Sequence, residues 1–209
     1  GRHSPYRDFG YRAAASASLQ FALGSAGAGT GANTATCRGG LGSASAVLRS
    51  GATIAALVAV NAVGSPLVGT SRHFWAAPFE VGKEFGGLGF PSPMSDDAGR
   101  PRTKLDLIPG TNTTIGVVAT DLVLSKGELK RLAIAAQDGF ARALYPAHTD
   151  FDGDLVFAAA TGKNSSTLSP QDRIEISAAA SSVMARAIAR GVFEASTLPN
   201  GPPAWRNLH

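Results

Sequence analysis

The sequence predicts one mixed α/β domain, spanning residues 1–209, in which buried strands and amphipathic helices pack as layers. Apolar runs occur at 53–60, 114–124 and 154–161, as expected of buried strands. Apolar residues also recur at helical spacing in two longer segments. With 44% hydrophobic residues, the chain can bury a sizeable core. The periodicity leaves both an α+β and an α/β arrangement open.

Both predicted helices have recognisable start signals. Ser125 is followed three residues later by Glu128, the capping-box pattern, and Pro146 ends this first helix. Ser169 caps the second helix, which spans about 170–195 and has a proline in its first turn. The helices therefore follow the second and third apolar runs, which is the order expected of a layered domain.

The first half of the chain has a different texture. The first five residues are typical of a loop, and residues 11–51 are rich in Ala, Gly and Ser. We expect short strands and turns there, with a helical turn at 45–50. Neither phosphate-binding glycine pattern occurs, which disfavours a nucleotide-binding loop. Prolines and glycines punctuate residues 65–110 and predict a long irregular connection.

Composition argues against several function classes. The net charge of +4 is scattered along the chain without a basic block, which gives nucleic-acid binding little support. The apolar runs are far shorter than the ~20 residues of a membrane span, so we expect no membrane insertion. The single cysteine, Cys37, excludes an internal disulfide and fits a reducing compartment. We therefore expect a cytoplasmic protein.

Histidines and carboxylates are further candidates for catalytic or metal-binding groups. No serine lies in a G-x-S-x-G elbow, and a structural role is favoured for His148. Asp150, Asp152 and Asp154 alternate as in a calcium loop, but the glycine and glutamate that such a loop requires are missing. The acidic turn is either solvated or orients a cationic group, and spacing alone does not decide. We predict neither a metal nor a cofactor.

Thr113 precedes a predicted buried strand and follows the irregular connection. A hydroxyl placed there can attack the preceding carbonyl, and hydrolysis of the resulting ester frees an N-terminal threonine. The freed α-amine can serve as general base for its own hydroxyl, and a strained turn before Thr113 would assist the first attack. An ordinary turn, or a glycosylation sequon at Asn112, is the alternative interpretation.

Six separate motifs resemble those of one family of self-cleaving peptidases and amidases. The family includes L-aminopeptidase/D-amidases, β-aminopeptidases and 6-aminohexanoate-oligomer (nylon-oligomer) hydrolases. The matching stretches are DFGY at 8–11, GAGTG at 27–31, RGGLGSAS at 38–45, VNAVG at 60–64, NTTIGVVATD at 112–121 and HTDFDGD at 148–154.

The resemblance implies a four-layer α/β/β/α sandwich of the N-terminal-nucleophile-hydrolase type. It also implies self-cleavage into fragments 1–112 and 113–209, and self-association of the processed pairs, which we expect to give a homotetramer. Relatives have a further region ahead of the residue that matches Gly1, so we expect the N-terminal part of the fold to be missing here. The implied substrate is a small amide or oligoamide.

The resemblance also implies roles for individual residues. Thr113 matches the nucleophile, Asn112 the residue on the other side of the cut, and Asn61 an oxyanion donor. Asp152 and Asp154 match an acidic pair that orients the nucleophile. A Thr nucleophile with this acidic pair resembles the nylon-oligomer branch, whereas the aminopeptidase branch carries a Ser nucleophile and a Ser-Gly-acid pattern.

Position 38 departs from the family pattern. Relatives commonly carry Lys where this chain has Arg38, and a guanidinium does not shuttle protons although it can position carboxylates. A catalytic role for Arg38 is therefore a hypothesis. The alternatives to a nylon-type amidohydrolase are an aminopeptidase or β-peptide hydrolase of the same family, and an acyltransferase or non-catalytic metabolite-binding relative of similar fold.

Overall fold

A computed structural model of the chain describes residues 4–104, 112–199 and 201–208. Its regular elements are four strands and three α-helices within these residues. The strands are β1 (Gly40–Val47), β2 (Thr53–Val60), β3 (Ile115–Leu122) and β4 (Leu155–Asn164). The helices are α1 (Tyr6–Ala15), α2 (Lys126–Ala143) and α3 (Pro170–Phe193).

The strands form one sheet in the order β1-β2-β3-β4. The first two pairs are antiparallel, and β3 and β4 are parallel with α2 in the connection between them. In the parallel pair Ile115 lies opposite Leu155. The chain segments that enter β3 and β4 therefore meet at the same edge of the sheet.

Helices α2 and α3 cover one face of the sheet and form the core with it. Ile54, Val58 and Val118 from the strands are fully buried together with Phe140 of α2 and Met184 of α3. Side chains on the opposite face remain exposed and are partly apolar: Leu57, Ile115 and Phe157. The described residues thus form two layers, one of helices and one sheet. None of these helices is long and apolar enough to cross a membrane.

The predictions from strong apolar periodicity are confirmed. Strand β2 has the predicted bounds, and β3 and β4 lie within a few residues of theirs. The predicted capping box at Ser125 is formed, and the predicted cap Ser169 also forms one, each serine accepting from a backbone N–H three residues on. The connection 65–104, as far as the structure describes it, contains only one short 3₁₀-helix.

Two predictions for the first half of the chain are wrong. The expected helical turn at 45–50 is instead the end of β1, because Ser45 and Val47 pair with β2 across the sheet. Residues 11–15, expected among short strands and turns, instead form the second half of α1, which begins at Tyr6. Tyr6, Phe9 and Ala13 recur there at helical spacing, but the helix has no side-chain cap at its start and buries none of its residues, so the pattern is short and lacks a start signal.

Gly42 allows β1 and α3 to touch. A Cβ at this position would lie 1.8 Å from the carbonyl oxygen of Ala187 and 2.6 Å from the amide nitrogen of Gly191. Gly42→Ala should therefore lower the free energy of unfolding by about 1–3 kcal/mol, the usual cost of overpacking. Gly99→Ala is the matched control, since nothing lies within 4 Å of its added Cβ. Equal thermal midpoints for the two variants would contradict this packing.

Candidate active site

The candidate site lies where the chain enters β3 and β4. Asn112 forms a parallel bridge with Asp152 just before the two strands begin. This pairing places residues 112–114 alongside 152–154, although they are distant in sequence. The strained turn proposed before Thr113 would involve residues 105–111, which lie outside the described residues.

The Thr113 hydroxyl lies against the carbonyl of the preceding residue. Its Oγ1 donates to the Asn112 oxygen at 2.6 Å, and the backbone N–H of Gly153 donates to the same oxygen at 2.8 Å. The Thr113 N–H donates to the Asn61 carbonyl at 3.0 Å. The bond between Asn112 and Thr113 is thus held from both sides, with its carbonyl polarised by a backbone donor.

Gly153 permits this arrangement because it has no side chain. A Cβ there would lie 2.6 Å from Thr113 Oγ1, closer than such atoms can approach. The residue at this position must therefore be small for the hydroxyl to occupy its observed place beside the Asn112 carbonyl.

The two predicted aspartates bond to backbone N–H groups around Thr113. Asp154 Oδ1 accepts from Thr114 N at 2.8 Å. Asp152 accepts from Val63 N at 3.0 Å through one oxygen, and from the N–H and hydroxyl of Thr149 through the other. The acidic turn is therefore ordered rather than simply solvated, with both side chains at the entrance of β4.

The Asp154 side chain is buried, with 2% of it exposed. Burial raises the pKa of its carboxyl, and the nearby Asp152 charge acts in the same direction, together outweighing the Thr114 N–H bond. His148 Nδ1 lies 3.1 Å from Asp154 Oδ2, and its ring stacks on Phe140 at 5.1 Å. His148 thus packs on α2 while facing the acidic pair.

Asn61 follows β2 and touches Thr113 through its backbone. Its side-chain Oδ1 accepts from the backbone N–H of Asn33 at 3.1 Å and from Lys104 Nζ at 2.8 Å. These two donors fix which end of the amide faces them. The amide nitrogen is the end that can donate to an oxyanion, as the resemblance implies.

Arg38 lies next to Asn33, which in turn bonds to Asn61. Its Nη1 donates to Asn33 Oδ1 at 2.7 Å, and the backbone N–H of Asn33 donates in turn to Asn61. The Arg38 side chain is buried, and its own backbone N–H donates to the Pro203 carbonyl. The described contacts therefore connect Arg38 to the site through Asn33.

A small cleft opens beside Thr113. Its volume is about 220 Å³, and its lining includes Asn61, Thr113 and Ile115. Alanine and glycine residues form the rest of the lining. The lining that the structure describes is small and mainly apolar.

Two other chemistries find little support in the described residues. The thiol of Cys37 is fully buried, and burial raises its pKa to about 11, so it carries negligible thiolate near neutral pH. Residues 4–104, 112–199 and 201–208 contain no group of three His, Cys, Asp or Glu side chains that could hold a metal ion.

Lys104, Asn33 and Gly153 belong to the site but were not singled out from the sequence. Lys104 ends a polar stretch within the irregular connection, and nothing in its neighbours indicates burial. Asn33 lies among glycines and small residues without a periodic pattern. Gly153 carried a signal, since a glycine between two aspartates at a strand entrance is compatible with close backbone approach.

Comparison with known proteins identifies relatives of this chain. Residues 3–202 match peptidase family S58. An uncharacterized aminopeptidase of Mycobacterium bovis is 39% identical over 215 residues, which cover 98% of this chain and 62% of that relative. The chain thus spans less than two thirds of the relative's length.

Solved structures extend the similarity to the fold. A protein of Pyrococcus horikoshii superposes with a TM-score of 0.63 at 25% identity, over 93% of this chain and 51% of its own. The L-aminopeptidase D-Ala-esterase/amidase of Ochrobactrum anthropi, described as a variant of the Ntn hydrolase fold, gives 0.61 at 26% identity, over 89% and 48%. The predicted N-terminal-nucleophile-hydrolase fold class is thereby confirmed.

Gly153→Ala tests the contact between the Thr113 hydroxyl and the β4 entrance. The family resemblance implies self-cleavage before Thr113, and the added methyl would displace Oγ1 from the Asn112 carbonyl. We therefore expect this cleavage of the full-length protein into two fragments to slow by roughly 10²-fold, as expected when a reacting group is misplaced by about 1 Å. Gly99→Ala is the matched control because its Cβ meets nothing. Conversion at the wild-type rate in Gly153→Ala would show that this contact is unimportant.

Proposed function

The chain belongs to peptidase family S58, and from this premise we propose that it is an amide-bond hydrolase activated by its own cleavage. The cut falls between Asn112 and Thr113, and the freed Thr113 becomes the nucleophile. The observation that carries the proposal is the placement of Thr113 Oγ1 2.6 Å from the Asn112 carbonyl oxygen, which Gly153 N–H polarises.

Self-cleavage begins with attack of Thr113 Oγ1 on the carbonyl carbon of Asn112. A C–O bond forms, the C–N bond breaks, and the hydroxyl proton passes to the departing Thr113 nitrogen. The product is an ester between Asn112 and the Thr113 side chain. Water then hydrolyses this ester, leaving a carboxylate on Asn112 and a free α-amine and hydroxyl on Thr113. The Gly153 N–H supports the negative charge that develops on the Asn112 oxygen.

Substrate hydrolysis repeats this chemistry on an external amide. The α-amine of Thr113 accepts the proton of its own hydroxyl, since such amines ordinarily have a pKa of about 7.7–8.0. Oγ1 attacks the substrate carbonyl, the Asn61 amide stabilises the oxyanion, and the amine product leaves with a proton. Water then hydrolyses the acyl ester and regenerates the hydroxyl. This sequence requires no cofactor.

The acidic pair and Arg38 are assigned to positioning. Asp154 bonds to Thr114 N, one residue from the nucleophile, and Asp152 lies beside Gly153. We assign them to orienting Thr113 and holding its α-ammonium after cleavage. Arg38 keeps its charge and bonds Asn33, so its part in the reaction is to hold Asn33 against Asn61.

The proposed substrates are linear amides, with 6-aminohexanoate (nylon) oligomers as the first candidate. The Thr nucleophile and the Asp-Gly-Asp motif match that branch, and the small apolar cleft suits a methylene chain. An aminopeptidase or β-peptide hydrolase is the second candidate, favoured by the name of the Mycobacterium bovis relative. Rates on the linear 6-aminohexanoate dimer, an α-amino-acid amide and a β-dipeptide discriminate among them.

Self-association is part of the same proposal. The sheet face that α2 and α3 leave uncovered carries exposed Leu57, Ile115 and Phe157. Apolar patches of this kind mark surfaces that pack against further protein, and in the implied α/β/β/α sandwich a second sheet would occupy this face. We propose a homo-oligomer of processed pairs, such as a homotetramer, on the family resemblance alone. We also propose a cytoplasmic location, in keeping with the single buried cysteine.

Variants of Thr113 test the proposed function. Thr113→Ala removes the hydroxyl that both reactions need, so it should stay uncleaved and lose activity by roughly 10⁴–10⁶-fold while remaining folded. Thr113→Ser keeps the hydroxyl and should retain part of both reactions. The measurements are fragment formation, release of free acid and amine, and the thermal midpoint.

Two outcomes would contradict the proposal. Near-wild-type hydrolysis by Thr113→Ala would show that another group is the nucleophile. Transfer of the acyl group to an added amine, without release of free acid, would instead identify an acyltransferase.

A further inference from the structure

We propose that Lys104 is a positioning residue of this site, holding the Asn61 amide in its oxyanion-binding orientation and opposing a second positive charge on the freed α-amine of Thr113. This inference rests on the self-cleavage proposed above. It concerns a residue that precedes the cut by eight positions and therefore remains on the upstream fragment.

The Lys104 ammonium is buried and fully bonded. The residue is 3% exposed, and its Nζ donates to Asn61 Oδ1 at 2.8 Å, to the Asn33 carbonyl at 2.9 Å and to the Asn61 carbonyl at 3.2 Å. An ammonium has three N–H donors, so these acceptors saturate it. Lysine is almost never buried unless it is paired. Here all three acceptors belong to Asn61, the proposed oxyanion donor, or to Asn33, whose N–H bonds to it.

These bonds decide the orientation of the Asn61 amide. An asparagine amide is nearly symmetric in shape, and only its hydrogen-bond partners decide which end is oxygen. Lys104 Nζ and Asn33 N are both donors aimed at one end of Asn61. A flipped amide would place two N–H groups against an ammonium. Lys104 therefore keeps the donor end of Asn61 on the side opposite to itself.

The same lysine affects the charge on Thr113. Thr113 N and Lys104 Nζ both donate to the Asn61 carbonyl, each within 3.2 Å of that oxygen. Less than twice this distance therefore separates the two nitrogens. Once cleavage turns Thr113 N into an amine, the nearby ammonium disfavours its protonation. The amine is thereby kept in the form that accepts the hydroxyl proton.

Other charges face this pair and act with different signs. The carboxylates of Asp152 and Asp154 favour a positive Thr113 amine, with His148 beside Asp154 and Arg38 acting through Asn33. Burial lowers the pKa of Lys104 to about 8, while the Asp152 charge opposes that shift. Lys104 is thus largely charged at pH 7, and it offsets the two carboxylates at the nucleophile.

The test compares Lys104→Met, Lys104→Arg and the control Lys130→Met, at an exposed site on α2, in the full-length protein. For Lys104→Met we expect self-cleavage to slow by roughly 10–10²-fold. We also expect kcat to fall more than KM rises, and the acid limb of the rate profile to move up by about one pH unit. Lys104→Arg keeps the charge in a different geometry, so it should restore the acid limb but not the full rate. Lys130→Met should match the wild type.

The pH dependence of stability tests the burial of the Lys104 ammonium independently of activity. Between pH 8 and 10.5 the unfolded chain binds more protons at Lys104 than the folded chain does, because the folded-state pKa is the lower one. Unfolding free energy should therefore rise with pH across this window in the wild type relative to Lys104→Met.

Two results would overturn the assignment. One is a Lys104→Met variant that cleaves at the wild-type rate with an unchanged profile. The other is loss of activity only in step with the thermal midpoint. A wild-type protein that never cleaves would instead contradict the proposed function.

Discussion

The site depends on the parallel pairing of β3 with β4. Because Ile115 lies opposite Leu155, the segments that enter the two strands meet, and Asn112 bridges to Asp152. That contact places a backbone N–H on the Asn112 carbonyl and leaves room for the Thr113 hydroxyl beside it. A one-residue slip in register would reverse the face of every side chain in β4 and remove both features. Helix α2 forms the connection that allows β3 and β4 to pair in parallel, although it contributes no proposed catalytic group.

The polar groups around Thr113 are supported by backbone atoms. Asp152, Asp154 and Lys104 each bond to main-chain N–H or carbonyl groups of neighbouring segments. Burial of unpaired polar groups is costly, whereas bonds to charged groups contribute about 1.5–3 kcal/mol each. Such a network is rigid before substrate arrives. Rigid donors cost little reorganisation when charge develops, so the fold supplies electrostatic stabilisation in advance.

Sequence patterns predicted the elements that bury an apolar face, and family motifs indicated Thr113, Asn61 and the acidic pair. The prediction failed where tertiary contacts decide the structure. Helix α1 buries nothing and has no side-chain cap, so its short apolar pattern was not distinguished from loop. Lys104 is a lysine in an irregular polar stretch, where exposure is the ordinary expectation. Its burial arises from the approach of the loops carrying Asn33 and Asn61, which no local pattern encodes.

The proposed mechanism depends on a cut of the chain before Thr113. Intact-mass measurement of the purified full-length protein, followed by N-terminal sequencing of the smaller fragment, tests it directly. We expect two species and a smaller fragment that begins Thr-Thr-Ile-Gly. A single uncut chain that nevertheless hydrolyses amides would contradict it, because the nucleophile would then lack the free α-amine on which the mechanism depends.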